Sequence, residues 1–452
     1  MSATSRKRSP GRYLVLGAIA AILMVAFLWI VVAPGPMHFA RGQRVRMADY
    51  RGPDPTGVPA ELASASLIER GSYLAHAADC EVCHSAPGGA PYAGGVAFVL
   101  PFGTLYSTNI TPDADTGIGH YSDANFLKSL HQGIRPDGTH LYPAMPYASY
   151  TYITDADALA IKAYLFGLQP VHAVTPSSAL IFPFNQRWLM GIWSLLFNPN
   201  QRFEPNAAQS ADWNRGAYLV EAMAHCGECH TPRNLFQALN HRRKFAGAVQ
   251  AGWRAYNITG DRDSGVGTFS DADLSQYLAI GHADDHGTAA GPMGEAVDKS
   301  LSQLAHSDIT AIVAYLRSVP TIDTPDLPAP KMTPAPASHR EGVAMDGDLR
   351  GKAVFAEACA SCHSWTGVGP LSRFATLTGT RAVNDPTATN VAQIIISGAQ
   401  RRTSDSRVFM PSFGAAYSDV EIADVANYAT ARFGAKRSAI TAEEVAKLRR
   451  QQ

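Results

Sequence analysis

The residues that could carry chemistry in this sequence are six cysteines, and all of them lie in three copies of the pattern Cys-x-x-Cys-His. The copies run over Cys80–His84, Cys226–His230 and Cys359–His363. If the pattern lies on a helix, two thiols stand about one turn apart and an imidazole follows directly. In an exported protein this arrangement attaches c-type haem: both sulfurs bond the porphyrin, and the histidine binds the iron from one side.

Three such copies predict three covalently bound haems c. The predicted attachment residues are Cys80, Cys83, Cys226, Cys229, Cys359 and Cys362. The predicted iron ligands on this side are His84, His230 and His363. Two alternatives use the same residues. A zinc site needs a fourth ligand, and the third copy has no histidine besides His363 to supply one. A redox dithiol is expected in a βαβ setting and needs no fixed histidine.

One methionine after each copy could bind the iron from the other side. These are Met145, Met293 and Met410, each flanked by Pro or Gly and each predicted to lie in a loop. A lone methionine is more often core filling, but that setting disfavours a core position. An imidazole and a thioether on opposite sides close the coordination of the iron and raise its reduction potential, so we predict electron exchange without a catalytic site. The fallback ligands are His120, His131, His140, His241, His282, His286 and His306.

The sequence elements around these residues repeat at intervals of about a domain's length, which is longer than the 20–50 residues of a solenoid repeat. We therefore predict a mostly α-helical protein with three tandem cytochrome c domains after a single N-terminal transmembrane helix. The predicted boundaries are a cytoplasmic tip and anchor over 1–33, cytochrome c domains over 66–172, 210–322 and 345–435, an apolar connecting segment over 173–209, a proline-rich linker over 323–344, and a charged tail over 436–452.

Local signals recur with the repeats. A helix opens each copy at a glycine, and an amphipathic helix with a tyrosine closes it, so we expect each tyrosine to pack near the glycine of its own domain. Those tyrosines are Tyr164, Tyr315 and Tyr428. Asn109 and Asn257 each head an Asn-x-Thr sequence that we interpret as a shared turn. Ser122, Ser270 and Ser418 have the setting of helix N-caps.

The N-terminal segment from Tyr13 to Ala33 carries no charge over its whole length, and basic residues precede it. This pattern predicts an uncleaved single-pass anchor in the bacterial inner membrane, with the body on the periplasmic side. A cleaved signal peptide is the alternative, although its apolar region is usually shorter. For the segment from Ala179 to Pro199 we expect packing across the domain junction; a membrane or partner surface is the second interpretation.

The overall charge argues against nucleic acid as a partner. Lys and Arg number 38 and Asp and Glu also number 38, whereas an electrostatic nucleic-acid binder carries a basic surplus. Charged residues make up 17% of the chain and apolar ones 46%, so a sizeable core can be buried.

The sequence resembles the three-haem cytochrome c subunits of bacterial membrane-bound periplasmic dehydrogenases, of the alcohol, gluconate and aldehyde dehydrogenase types. Besides the CxxCH copies, the resemblance rests on the stretches 107–113, 141–147 and 229–233. Gly367 to Leu371 resembles the loop that supplies a carbonyl to the axial histidine in small cytochromes c, which makes Pro370 the candidate there. Arg233 is a candidate partner for a haem propionate, or a solvated surface arginine.

The resemblance implies a subunit that is no enzyme on its own. It would take electrons from a dehydrogenase catalytic subunit and pass them to ubiquinone or another respiratory acceptor. The donor could be an alcohol, an aldehyde, a sugar acid or an N-heterocycle. The aldehyde and the N-heterocycle are included because the stretch from Gly252 to Thr259 looks more like cytochromes paired with molybdenum dehydrogenases. One alternative is a cytochrome c subunit that feeds a terminal oxidase directly. Another is a haem peroxidase, which would need an iron without its methionine.

Overall fold

The computed structural model describes residues 10–32, 44–337, 346–402 and 407–451. The helices are α1 (Pro10–Val32), α2 (Leu67–Ala77), α3 (Cys80–His84), α4 (Asp123–Gln132), α5 (Tyr147–Tyr150), α6 (Asp155–Phe166), α7 (Leu189–Phe197), α8 (Ala211–Tyr218), α9 (Gly227–His230), α10 (Asp271–Ile280), α11 (Gly291–Lys299), α12 (His306–Ser318), α13 (Asp346–Val354), α14 (Ala360–His363), α15 (Thr389–Ser397), α16 (Asp419–Phe433) and α17 (Ala442–Arg449). Single π-helical turns, Leu219–Met223 and Phe355–Cys359, continue α8 and α13.

Short antiparallel strands complete the fold. They are β1 (Ala97–Leu100), β2 (Gly103–Tyr106), β3 (Ala179–Leu180), β4 (Ala248–Gln250), β5 (Trp253–Ala255), β6 (His282–Ala283), β7 (Gly287–Thr288), β8 (Ala399–Arg402) and β9 (Arg407–Met410). Strands β1, β2 and β3 form one sheet in that order, and the others pair as hairpins β4–β5, β6–β7 and β8–β9. The predicted mostly α-helical class is therefore wrong: the content is mixed, with 44% of the structure helical.

The predicted transmembrane anchor is also wrong. Among the residues that the structure describes, no helix has the length and apolarity needed to cross a membrane. The predicted single-pass location in the inner membrane depended on this helix and is therefore wrong as well. Residues 1–9 and 33 of the predicted tip and anchor lie outside the described residues.

Each repeat is built on a helix pair that crosses at a glycine. The pairs are α2 with α6, α8 with α12, and α13 with α16. A Cβ placed on Gly71, Gly216 or Gly351 would come within 2.0, 1.9 or 2.3 Å of a backbone carbonyl oxygen in the partner helix. Only a residue without a side chain permits that approach. The tyrosine predictions are confirmed, because the Cβ of Tyr164, Tyr315 or Tyr428 lies 2.8–2.9 Å from the Cβ placed on the glycine of its own repeat.

The first and second repeats share one hydrophobic core, which contains Leu74 and Ile161 of the first and Leu219 and Ile312 of the second. Two reciprocal hydrogen bonds cross between them. Tyr73 donates its hydroxyl to Asp308 at 2.6 Å, and Tyr218 donates to Asp157 at 2.6 Å. Tyr73 and Tyr218 occupy equivalent places in α2 and α8, as Asp157 and Asp308 do in α6 and α12. The interface therefore has approximate two-fold symmetry.

The third repeat has a core of its own, built on Phe355, Ile396, Ile422 and Phe433. The described part of the predicted linker, residues 323–337, begins on the second repeat and ends on the third. Thr324 donates its hydroxyl to the carbonyl of Ala246 at 2.8 Å, and the buried Ala335 donates its amide to the carbonyl of Thr366 at 2.9 Å. Residues 338–344 of the linker lie outside the described residues. The proline-rich segment is therefore a strap that runs from the second repeat onto the third.

The connecting segment between the first two repeats packs across their junction, as predicted. Trp193 of α7 is buried against Tyr147 of the first repeat and Ala238 of the second. Its indole donates to the carbonyl of Phe236 at 2.8 Å. The rest of the segment is different, because Trp188 is 64% and Leu195 83% exposed.

Candidate functional site: three thiol and imidazole pockets

The three CxxCH histidines are held in the same way. Nδ1 of His84 lies 2.7 Å from the carbonyl oxygen of Thr108, Nδ1 of His230 lies 2.6 Å from that of Tyr256, and Nδ1 of His363 lies 2.6 Å from that of Ala375. A carbonyl oxygen can only accept, so each Nδ1 carries the proton. The lone pair of each imidazole is then on Nε2, which becomes the ligating atom.

Burial shifts the ionisation of these residues toward the neutral forms. It lowers the pKa of His84, His230 and His363, which favours the uncharged imidazole that metals bind. It raises the pKa of the Cys80 and Cys226 thiols to about 12. Thiol–disulfide exchange requires a thiolate, so a raised thiol pKa disfavours the redox dithiol alternative.

Two of the three supporting carbonyls belong to the repeated Asn-x-Thr turn. The Asn109 side chain accepts the amide of Thr111 at 2.9 Å, and the Asn257 side chain accepts that of Thr259 at 2.8 Å. Thr108 and Tyr256, whose carbonyls accept the histidine protons, directly precede these asparagines. The predicted shared turn is therefore confirmed, and its role is to fix the carbonyl that orients the histidine.

The third supporting carbonyl differs from the candidate that the sequence offered. Ala375, in the 3₁₀ turn Arg373–Ala375, holds His363, and Pro370 does not. Arg233 was considered as a partner for a haem propionate, but its guanidinium donates to the buried Glu228 carboxylate at 2.7 Å. Glu228 lies between the two cysteines of the second copy, so this ion pair holds Arg233 against the second CxxCH segment.

The three methionines lie in three kinds of backbone. Met145 lies in a turn before α5, Met293 lies in the first turn of α11, and Met410 ends β9. Only the first is in a loop as predicted. Met145 and Met293 pack against the core that Cys80 and Cys226 also contact. Met410 packs against the separate third core, with Cys359.

The first and second pockets share a junction at Tyr150, which the sequence did not single out. Its hydroxyl donates to the carbonyl of Ala78 at 2.5 Å, just ahead of Cys80. Its ring lies 5.2 Å, centroid to centroid, from that of His225, which directly precedes Cys226. One buried side chain therefore contacts the entry to both CxxCH segments. Asp79 and His225, at equivalent positions, both have positive φ (56° and 36°).

Several fallback histidines make contacts within the protein. His131 is buried and lies 3.7 Å from Asp155, and His286 stacks on Phe269. His282 bonds Thr288 and Asp284 through its two nitrogens. These contacts belong to the local packing of each repeat.

The donor sets fit haem c. Each site combines two free thiols for thioether formation, an imidazole whose Nε2 is available for iron, and a methionine on the same core. The recurrence of the histidine-to-carbonyl bond in all three repeats is the geometric signature that an axial ligand requires.

Comparison with known proteins agrees with this geometry. The sequence model of the cytochrome c family matches residues 349–429. The fructose dehydrogenase cytochrome subunit of Gluconobacter japonicus is 39% identical over 415 residues, 88% of this chain and 85% of that protein. The gluconate 2-dehydrogenase cytochrome c subunit of Pantoea cypripedii is 37% identical over 409 residues, 86% of this chain and 91% of that protein. A nicotinate dehydrogenase subunit of Pseudomonas putida is 40% identical over 381 residues, 83% of this chain but 31% of that longer protein.

Proposed function

This chain belongs to the family of cytochrome c subunits of dehydrogenase complexes, and we propose from that premise that it is a three-haem electron-transfer subunit. It takes electrons from a dehydrogenase catalytic subunit and delivers them to ubiquinone or another respiratory acceptor. It has no catalytic site of its own. The observation that carries the proposal is the threefold recurrence of a CxxCH histidine whose Nδ1–H is bonded to a backbone carbonyl.

The proposed residue roles follow the repeats. Haem is attached through Cys80 and Cys83, Cys226 and Cys229, and Cys359 and Cys362. The iron is bound by histidine and methionine in the pairs His84 with Met145, His230 with Met293, and His363 with Met410. Bound in this way, haem c supplies one-electron exchange at a raised reduction potential. The carbonyls of Thr108, Tyr256 and Ala375 fix the tautomer of each histidine, and each methionine is partly buried against a hydrophobic core.

The number of haems is the first test. We expect the alkaline-pyridine absorbance of the purified full chain to report three haems per polypeptide. The double variant Cys359→Ala, Cys362→Ala should report two, because the third pocket has its own core and the shared core of the others stays intact. A wild-type value below three would contradict the proposal. Ser361→Ala, between the two cysteines, is the matched control and should retain three.

The partner is the second test. An affinity-tagged chain isolated from its own cells should bring with it a dehydrogenase catalytic subunit, identified by mass spectrometry. Addition of the substrate of that dehydrogenase should then bleach the oxidised haem spectrum of the complex. Isolation with a copper-containing oxidase core and no dehydrogenase would favour direct delivery to an oxidase instead.

A further inference from the structure

Met145, the predicted ligand of the first iron, is joined closely to the short helix α5. Its carbonyl accepts the amide of Tyr147 at 2.7 Å, across Pro146, whose ring fixes one backbone angle of that turn. Helix α5 has only four residues. A single helical turn is not stable by itself, so contacts with the rest of the protein must hold α5 in place. The position of Met145 therefore depends on those contacts.

Two contacts of α5 come from the second repeat. The hydroxyl of Ser149 donates to the carboxylate of Glu228 at 2.7 Å, and both residues are buried. The ring of Tyr150, whose hydroxyl binds Ala78 of its own repeat, lies 5.2 Å from the ring of His225. A hydrogen bond to a charged acceptor changes an equilibrium by at least about tenfold. The bond from Ser149 is therefore the main polar link between α5 and the second repeat.

Glu228 is held in place without help from Ser149. Arg233 donates to the Glu228 carboxylate at 2.7 Å and to the Glu228 carbonyl at 2.8 Å. Both residues belong to the second repeat, and Glu228 lies between its two cysteines. The second CxxCH segment thus presents a fixed acceptor to α5. Removal of the Ser149 hydroxyl should release α5 and leave Glu228 bound to Arg233.

We propose that Glu228 is a positioning residue for the first iron, although it lies in the CxxCH segment of the second. Through the Ser149 hydroxyl it holds α5, and with α5 the thioether of Met145, in the position that closes the coordination of the first centre. The proposal rests on the three-haem function proposed above, in which Met145 is paired with His84. It makes methionine ligation at the first iron depend on the second repeat.

The experiment measures how easily an added ligand, imidazole, replaces the methionine in the full haem-loaded chain. Imidazole binds a ferric haem of this kind only after the methionine has left, so its apparent affinity scales with the population of that open form. We expect Ser149→Ala to raise the imidazole affinity of the first centre about tenfold and to leave the second and third centres unchanged. Met145→His identifies the first centre, because a second imidazole ligand lowers the reduction potential of that centre alone.

A second variant tests the same bond from its other end. Glu228→Gln keeps an oxygen that can accept from Ser149 but removes its charge, so it should raise the imidazole affinity of the first centre by less than Ser149→Ala does. The double variant Ser149→Ala, Glu228→Gln should match Ser149→Ala at the first centre, because the two residues act there through one bond. Additive effects of the two changes would contradict the proposal.

Ser129→Ala is the matched control. Its hydroxyl donates to the carbonyl of Ile134 at 2.9 Å, a bond that stays within the first repeat, so the imidazole affinity of every centre should remain unchanged. The proposal is overturned if Ser149→Ala retains three haems and leaves the imidazole affinity of the first centre unchanged, or raises that of all three centres equally. Unchanged reduction potentials in Met145→His would instead contradict the proposed ligand pair, and with it the proposed function.

Discussion

Replacing Asp308 with asparagine should cost far more stability than the same change at its symmetry equivalent, Asp157. Both carboxylates accept a tyrosine hydroxyl from the other repeat. Asp308 also binds Arg215 through both oxygens, at 2.7 and 2.6 Å, and is 1% exposed. Asp157 instead accepts the amide of Gly57 at 2.8 Å. The two sites therefore differ chiefly by one buried cation.

The magnitude follows from where that cation can go. Arg215 also donates Nη1 to the carbonyls of Pro55 and Gly57, each at 3.0 Å, so its guanidinium stays in place when Asp308 is neutralised. Breaking a buried ion pair from one side costs about 3–5 kcal/mol. Replacing the acceptor of neutral donors, as in Asp157→Asn, costs about 1–3 kcal/mol.

The assay is urea unfolding of the haem-loaded protein, with the free energy of unfolding compared at unchanged m-value. We expect Asp308→Asn to be the more destabilising variant by about 2 kcal/mol. In the double variant Asp308→Asn, Arg215→Gln, the loss in free energy of unfolding should be smaller than the sum of the two single losses, because removing the cation also removes the unpaired charge. Equal costs for Asp308→Asn and Asp157→Asn, together with additive effects in the double variant, would refute this account of the interface.

Three further predictions concern single residues. Burial lowers the pKa of His131 to about 4, so as the pH falls the unfolded chain takes up the proton before the folded chain does. The contribution of His131 to the free energy of unfolding should be complete above about pH 6.5 and fall by up to about 3 kcal/mol as the pH drops to about 4. In acid unfolding curves, His131→Gln should remove this pH dependence. Gly351→Ala should destabilise the third repeat by about 1–3 kcal/mol in thermal unfolding, because its methyl would clash with the Asp424 carbonyl, whereas Gly260→Ala, with its nearest neighbour at 3.6 Å, should change little. Tyr150→Phe should lower the free energy of unfolding by about 1–2 kcal/mol by leaving the Ala78 carbonyl unpaired, with three haems retained; an unchanged midpoint in urea would show that this bond contributes nothing.

The features that could be predicted from the sequence are those written within a few residues. The CxxCH copies, the Ser270 cap and the Asn257 turn depend on local spacing, and the structure contains the cap and the turn as expected. The glycine–tyrosine contacts were also predictable, because the repeat displays the same pair three times. Repetition within one chain supplied the comparison that a single domain would lack.

The features that were missed depend on contacts far apart in the chain. Tyr73 and Asp308 are 235 residues apart, and neither has a neighbour that signals the other. Ala375 took the role expected of Pro370 because the loop after His363 closes through a 3₁₀ turn that no short motif announces. Met293 was expected in a loop, yet Pro292 at the start of α11 is well tolerated in a first helical turn. The anchor prediction relied on an uncharged segment and on the basic residues before it, and among the described residues no helix has the length and apolarity needed to cross a membrane.

The crossed tyrosine–aspartate bonds have a consequence for how the protein is made. A ribosome adds about 5–20 residues per second, so roughly 10–50 s separate the emergence of Tyr73 from that of its acceptor 235 residues later. During that interval the surface of the first repeat that later packs against the second repeat is exposed. Truncated products that end between α7 and α12 should accordingly be cleared by proteases, and those that end in the strap before the third repeat should survive.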